Sequence, residues 1–115
     1  MITKSKLKLI KSLNRKKIRE EYQLFIVEGY KSIRELLNSG LIAEDILIVS
    51  GNHQLDDLEP EIISAKDMTI LSNLKTAPGY LAVFKMNQKQ ELPMAGKIIA
   101  LDDVKDPGNL GTIIR

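Results

Sequence analysis

Leu24-Phe25-Ile26-Val27-Glu28-Gly29-Tyr30-Lys31-Ser32-Ile33-Arg34-Glu35-Leu36-Leu37-Asn38-Ser39-Gly40 is the stretch from which the fold is read. Its first four residues are aromatic or aliphatic and partly β-branched, the composition of a buried strand, and Gly29 ends the run. Ile33, Leu36 and Leu37 then recur at steps of three and four. They put one apolar face on a helix over 30–39, with Gly40 placed where a left-handed cap belongs. Strand, turn and helix in that order open a βαβ unit.

Toward the C-terminus the same alternation continues. Ile46-Leu47-Ile48-Val49 is a run of four apolar residues, as expected of a strand covered on both faces in a parallel sheet. Residues 50–59 form a polar loop, and Ile62-Ile63 a short strand. Ser64 and Asp67 have capping-box spacing ahead of Met68, Leu71 and Leu74, which repeat with helical period. Thr76-Ala77-Pro78-Gly79 signals a turn, Tyr80-Leu81-Ala82-Val83-Phe84 a further strand, and 87–96 a Pro- and Gly-containing linker before a last strand over 98–101. The alternation predicts an α/β fold, an α/β/α sandwich around a largely parallel sheet.

Toward the N-terminus, Leu7, Ile10 and Leu13 predict an amphipathic helix over 5–13, and Asn14 is placed to cap a second helical segment over 15–21. Residues 1–19 contain Lys4, Lys6, Lys8, Lys11, Arg15, Lys16, Lys17 and Arg19 and no acid. The whole chain is only +2. The remaining nine cations and fifteen acids therefore leave an acidic body of net −6 behind a basic head. Such a head binds polyanions by releasing their condensed counterions, and RNA is the expected partner. The plain alternative is a solvated helix face.

Composition removes other classes of function. A chain of 115 residues, 43% apolar and 28% charged, supports one ordinary core. The absence of cysteine excludes disulfides, thiolate nucleophiles and thiolate metal sites, and His53 is a lone histidine in a polar loop. Asp102, Asp103 and Asp106 lack further ligands, so no metal is expected. Without an apolar run long enough to span a bilayer, and without a secretory leader, the expected location is the cytoplasm.

The C-terminal run Asp102-Asp103-Val104-Lys105-Asp106-Pro107-Gly108-Asn109-Leu110-Gly111-Thr112-Ile113-Ile114-Arg115 combines a turn at Pro107-Gly108, a cap at Asn109 and the start of a helix. It resembles the first signature motif of the SpoU family of RNA ribose 2′-O-methyltransferases, in which an Asn is followed two residues later by Gly and four further by Arg. Asn109, Gly111 and Arg115 fill those places. Phe25 to Gly29 and Thr76 to Val83 resemble two landmarks of the substrate-binding domain of that family, although Ala77 and Pro78 stand where a polar residue is usual.

The resemblance implies an RNA substrate-binding domain over 1–90 similar in fold to RNA-binding ribosomal proteins, a linker over 91–96, and the start of a trefoil-knot methyltransferase domain over 97–115. The chain then reads as a fragment. S-adenosylmethionine would be bound by later motifs of a longer, homodimeric parent, and the monomeric fragment would be inactive. By the same resemblance Arg115, with Asn109 orienting it, is the catalytic candidate. RNA contacts are expected from Lys4, Lys8, Lys11, Arg15, Lys16, Lys17 and Arg19 of the head and from Glu28 and Lys31, with Glu28 also readable as an anchor for its turn. The alternative is a stand-alone noncatalytic RNA-binding module of the ribosomal-protein type, which leaves the Asn109 to Arg115 motif without a purpose.

Overall fold

The computed structural model of the chain describes residues 2–87, 91 and 95–115. Helices α1 (Lys4–Ser12) and α2 (Lys16–Tyr22) precede strand β1 (Leu24–Glu28), helix α3 (Tyr30–Asn38) and strand β2 (Ala43–Val49). A 3-10 turn at Asp56–Leu58 leads to β3 (Glu61–Ile63), α4 (Ala65–Leu71), β4 (Tyr80–Lys85) and finally α5 (Pro107–Ile114).

The four strands form one sheet in the order β1-β4-β2-β3. Successive side chains along the strands point to opposite faces and divide between two apolar cores. On one face Leu24, Leu47, Ile63, Leu81 and Val83 pack with Ile10 and Leu13 from the α1 region and Met68 and Leu71 of α4. On the other, Ile48, Tyr80, Ala82 and Phe84 pack with Ile33 of α3 and Leu55. The Phe25 and Phe84 rings stack across the neighbouring strands at 5.9 Å, adding an aromatic pair to the α3 side. Helices on both faces make the expected α/β/α sandwich.

The sheet is mixed, however, and the expectation of a largely parallel one is corrected. Only β2 and β3 pair in parallel, and β4 runs antiparallel to both β1 and β2. The cause is where the chain is held after α4. Glu28, at the end of β1, accepts a hydrogen bond from the Ser72 hydroxyl and another from the Asn73 amide at 3.0 Å. Residues 72–79 are thereby kept at the end of the sheet where β1 and β2 finish, so β4 must start there and run back. Its Tyr80 to Phe84 run is buried on both faces, which suits the most continuously apolar strand to the centre rather than to an edge.

Local signals set the helices with small shifts. Ser64 caps α4 by accepting from the Asp67 amide, whereas α4 stops at Leu71 and leaves Leu74 outside and exposed. Thr3 caps α1. Asn14 is not the cap of α2; Arg15 holds that position and makes no side-chain cap bond. Two larger corrections fall in the C-terminal region. Residues 98–101 form no strand, and Ile98 and Ile99 are about three-quarters exposed at 70% and 76%, because a strand without a paired neighbour leaves its backbone groups to water. Asn109 is not a cap either: Asp106 caps α5 by accepting from the Gly108 amide, with Pro107 at the first helical position, so the turn expected at Pro107-Gly108 is the first turn of the helix. Of the linker expected over 91–96, residues 92–94 lie outside the described residues.

Candidate nucleic-acid interface

Lys4, Lys8, Lys11 and Arg15 are spaced by four, three and four residues, which places them on one stripe of a helix with 3.6 residues per turn. α1 carries Lys4, Lys8 and Lys11 of that spacing, and Arg15 stands beyond its end as the N-cap of α2. Ile10 and Leu13, on the opposite side, are buried in the core and fix the rotation of the helix. The four cations consequently rim an open groove of about 490 Å³ between α1 and α4, floored by Leu7 and Ile70 and closed at one end by Ser12 and Asn14. No acidic side chain lines it.

The stripe opposes local helix preferences. Lys4 and Lys6 stand in the first turn, which has no acidic residue, so positive charge meets the positive end of the helix dipole. Lys4 and Lys8 are like charges four residues apart on α1, a pair costing a few tenths of a kcal/mol. Packing of Ile10 and Leu13 offsets this.

The eight cations of the head divide by partner. Lys6 turns away from the stripe and its ammonium bridges Asp45 at 2.7 Å and Glu61 at 2.6 Å, tying α1 to β2 and β3. Burial works against its charge, but the hydrogen bonds it donates to both carboxylates outweigh that and raise the Lys6 pKa. Arg19 donates through Nη1 to the carbonyls of Leu13 at 3.0 Å and Asn14 at 2.8 Å, which closes the turn between α1 and α2. Lys16 lies 3.9 Å from Glu20 and lines a different depression with Arg19, Gln23 and Met86. Lys17 is exposed on α2.

Of the other sequence-derived residues, Glu28 spends both carboxylate oxygens on Ser72 and Asn73 and is a structural anchor. Lys31 is exposed in the first turn of α3. Asn14 links the two regions, because it lines both the α1–α4 groove and an adjoining depression with Arg19 and Asn73. Asn109 sits inside α5 and Arg115 at its end, both exposed. Leu101, Val104, Leu110, Ile113 and Ile114 present apolar side chains to solvent, Ile114 at 75% exposure. Among the described residues no cluster of three or more His, Cys, Asp or Glu is placed to hold a metal ion, and no helix is long and apolar enough to cross a membrane.

The floor residues Leu7 and Ile70 escaped the reading of the sequence. A signal existed for Ile70: in α4 the stripe Met68 and Leu71 faces the core, and an isoleucine between them has to point elsewhere.

A further polar cluster braces the loop after β2. Arg34 of α3 pairs with Asp57 and donates to the Gln54 carbonyl, and the Tyr80 hydroxyl bonds the Gln54 side chain. The Arg34 guanidinium holds the Asp57 carboxyl below the usual carboxylate range. Tyr30 meets Tyr80 edge-on with centroids 5.4 Å apart, so Tyr30 packs rather than standing free.

These features define the class: a three-layer α/β domain with a mixed four-stranded sheet and a cation-rimmed groove on one helical layer. Residues 4–82 match the family model described as the MRM3-like substrate binding domain, and the chain belongs to that family. It is 34% identical, over 96% of its own length and 46% of the relative's, to the 23S rRNA (guanosine(2553)-2′-O)-methyltransferase RlmP of Bacillus subtilis. A solved structure of a TrmH-family protein from Porphyromonas gingivalis superposes with a TM-score of 0.76 at 29% identity, covering the whole chain and 47% of that protein. The SpoU methyltransferase AviRb of Streptomyces viridochromogenes, solved with AdoMet, superposes with a TM-score of 0.75 over 98% of this chain and 48% of its own; at 20% identity it attests the fold alone. The chain spans about half the length of these relatives.

Proposed function

We propose that the chain is the RNA-binding part of an rRNA ribose 2′-O-methyltransferase of the SpoU type, gripping RNA through the groove between α1 and α4. The observation that carries this is the row of Lys4, Lys8 and Lys11, set on α1 against that helix's preferences and continued by Arg15 at the cap of α2, with no acid among the lining residues. Local rules are broken in this way where function demands it. The family match and the rRNA methyltransferase relatives support the same reading.

Residues 97–115 are, on this reading, the beginning of the catalytic part, and S-adenosylmethionine belongs to later sequence. The 115-residue chain alone transfers no methyl group. Arg115 acts as a clamp on phosphate and on the developing alkoxide rather than as a base, since a guanidinium does not give up its proton in the physiological range. Asn109, six residues earlier, is the residue that the family resemblance assigns to orient it.

The test is the salt dependence of binding to a structured rRNA fragment. Each lost phosphate contact lowers the logarithmic slope by roughly 0.7–0.9. Replacing Lys4, Lys8, Lys11 and Arg15 together by Ala should therefore flatten it by about three units, and the Lys16→Ala, Lys17→Ala pair by less. An unchanged slope in the fourfold variant would overturn the proposal. In a full-length enzyme carrying this chain, Arg115→Lys should lose on the order of 100-fold in turnover, while recovery of rate with rising pH would favour a base instead.

A further inference from the structure

We infer that the groove between α1 and α4 is a pocket for one unpaired nucleotide, whose base lies on Leu7 and Ile70 while its flanking phosphates meet the cationic rim. The inference rests on the proposed RNA-binding function and adds to it the form of RNA that is recognised. Phosphate binding alone requires cations and no apolar floor. Here Ile70 of α4 is 40% exposed and lines the groove with the half-buried Leu7, opposite the row of four cations. An A-form duplex turns ribose and phosphate outward and has no apolar face to offer such a floor, whereas a splayed base has two.

The volume and the polar end agree with that occupant. About 490 Å³ falls within the range of small-ligand sites. The exposed Asn14 side chain supplies an amide with both donors and acceptor for a base edge. The Ser12 hydroxyl donates to the Leu9 carbonyl and so presents its lone pairs. An acidic peptide would satisfy the cations, but it would leave the floor uncovered unless it were itself apolar. The charge and the floor together favour a nucleotide.

The chain contains no tryptophan, so Ile70→Trp creates a single fluorescent reporter at a position exposed enough to need no core space. With a hairpin RNA bearing an unpaired loop, this variant should show strong quenching and at least unchanged affinity. A blunt duplex of equal phosphate number should quench little. Ile70→Ser should cut the preference for hairpin over duplex by about tenfold, as loss of one base-stacking contact does, while leaving duplex binding and the salt slope as in the parent chain. Equal quenching by hairpin and duplex, or a hairpin preference undiminished in Ile70→Ser with its circular dichroism and melting temperature unaltered, would overturn the pocket and leave the RNA-binding reading intact. Tighter binding of a poly-acidic amphipathic peptide than of either RNA would overturn both.

Discussion

Glu28 at the end of β1 accepts the hydroxyl of Ser72 across the end of the sheet, at an oxygen separation of 2.5 Å. The second carboxylate oxygen takes the Asn73 amide, and Ser72 also receives the Leu74 amide at 3.1 Å. One side chain thus organises the turn that returns the chain into β4.

Removing that carboxylate should act on folding and not on RNA. Glu28→Ala leaves the buried Ser72 hydroxyl and a backbone amide without their partner, at about 1–3 kcal/mol. Urea unfolding should show the loss, and the salt slope of RNA binding should stay at the parental value. A lowered slope would make Glu28 part of the RNA surface after all.

Lys6 and Lys8 are two residues apart and should behave oppositely. Lys6→Met breaks a two-carboxylate bridge between α1 and the sheet, and a loss of about 1 kcal/mol is expected for a partly exposed network. Lys8→Met should leave stability unchanged or slightly raised, since it removes like-charge repulsion on α1, and should weaken RNA binding. The pH dependence has a definite sign. Because the folded pKa of Lys6 lies above its ordinary value of 10.5, its contribution is complete below that value and disappears as pH rises through the folded one. The stability gap between the parent chain and Lys6→Met should therefore be constant from neutral pH upward and close only in strong alkali.

Gly79 and Asn52 form a coupled pair. The backbone at Gly79 has φ +79°, and an added Cβ would stand 2.4 Å from the Asn52 Nδ2, which donates to the Gly79 carbonyl at 3.1 Å. Gly29 has an equally positive φ of +93° but open space around it. Gly29, at φ +93° and ψ +135°, lies in a region essentially reserved for glycine, so Gly29→Ala should cost backbone strain on the order of 1–3 kcal/mol with no clash, whereas Gly79→Ala adds the clash with Asn52 to its own strain. Adding Asn52→Ala to Gly79→Ala should recover part of the difference, so the double-mutant cycle should be non-additive.

Asp57 should contribute to stability in a window set by its own titration. Its hydrogen bond from Arg34 lowers the folded pKa below the ordinary 3.8. The contribution is present above that ordinary value and is lost as pH falls through the folded one. Thermal melts of the parent chain and Asp57→Asn should differ most above pH 4 and converge in stronger acid.

Most helices and strands could be read from the sequence because their signals are local. Ile33, Leu36 and Leu37 mark the buried face of α3 by period alone, Ser64 caps α4 through its own hydroxyl, and Tyr80 to Phe84 announces a strand wrapped in side chains. The stripe of Lys4, Lys8, Lys11 and Arg15 is likewise a matter of spacing. Strand order and direction are not local. The alternation of strands and helices is compatible with a parallel sheet, and only the folded chain brings Ser72 and Asn73 to Glu28, more than forty positions away, at the end of the sheet from which β4 runs back through the centre. The division of the cations has the same origin. Nothing in the neighbourhood of Lys6 distinguishes it from Lys8 until the sheet brings Asp45 and Glu61 to one and leaves the other facing Ile70. Periodicity determines which face of a helix is apolar; packing across the sheet decides what stands opposite it, and with that which charges are spent on the fold and which remain for a ligand.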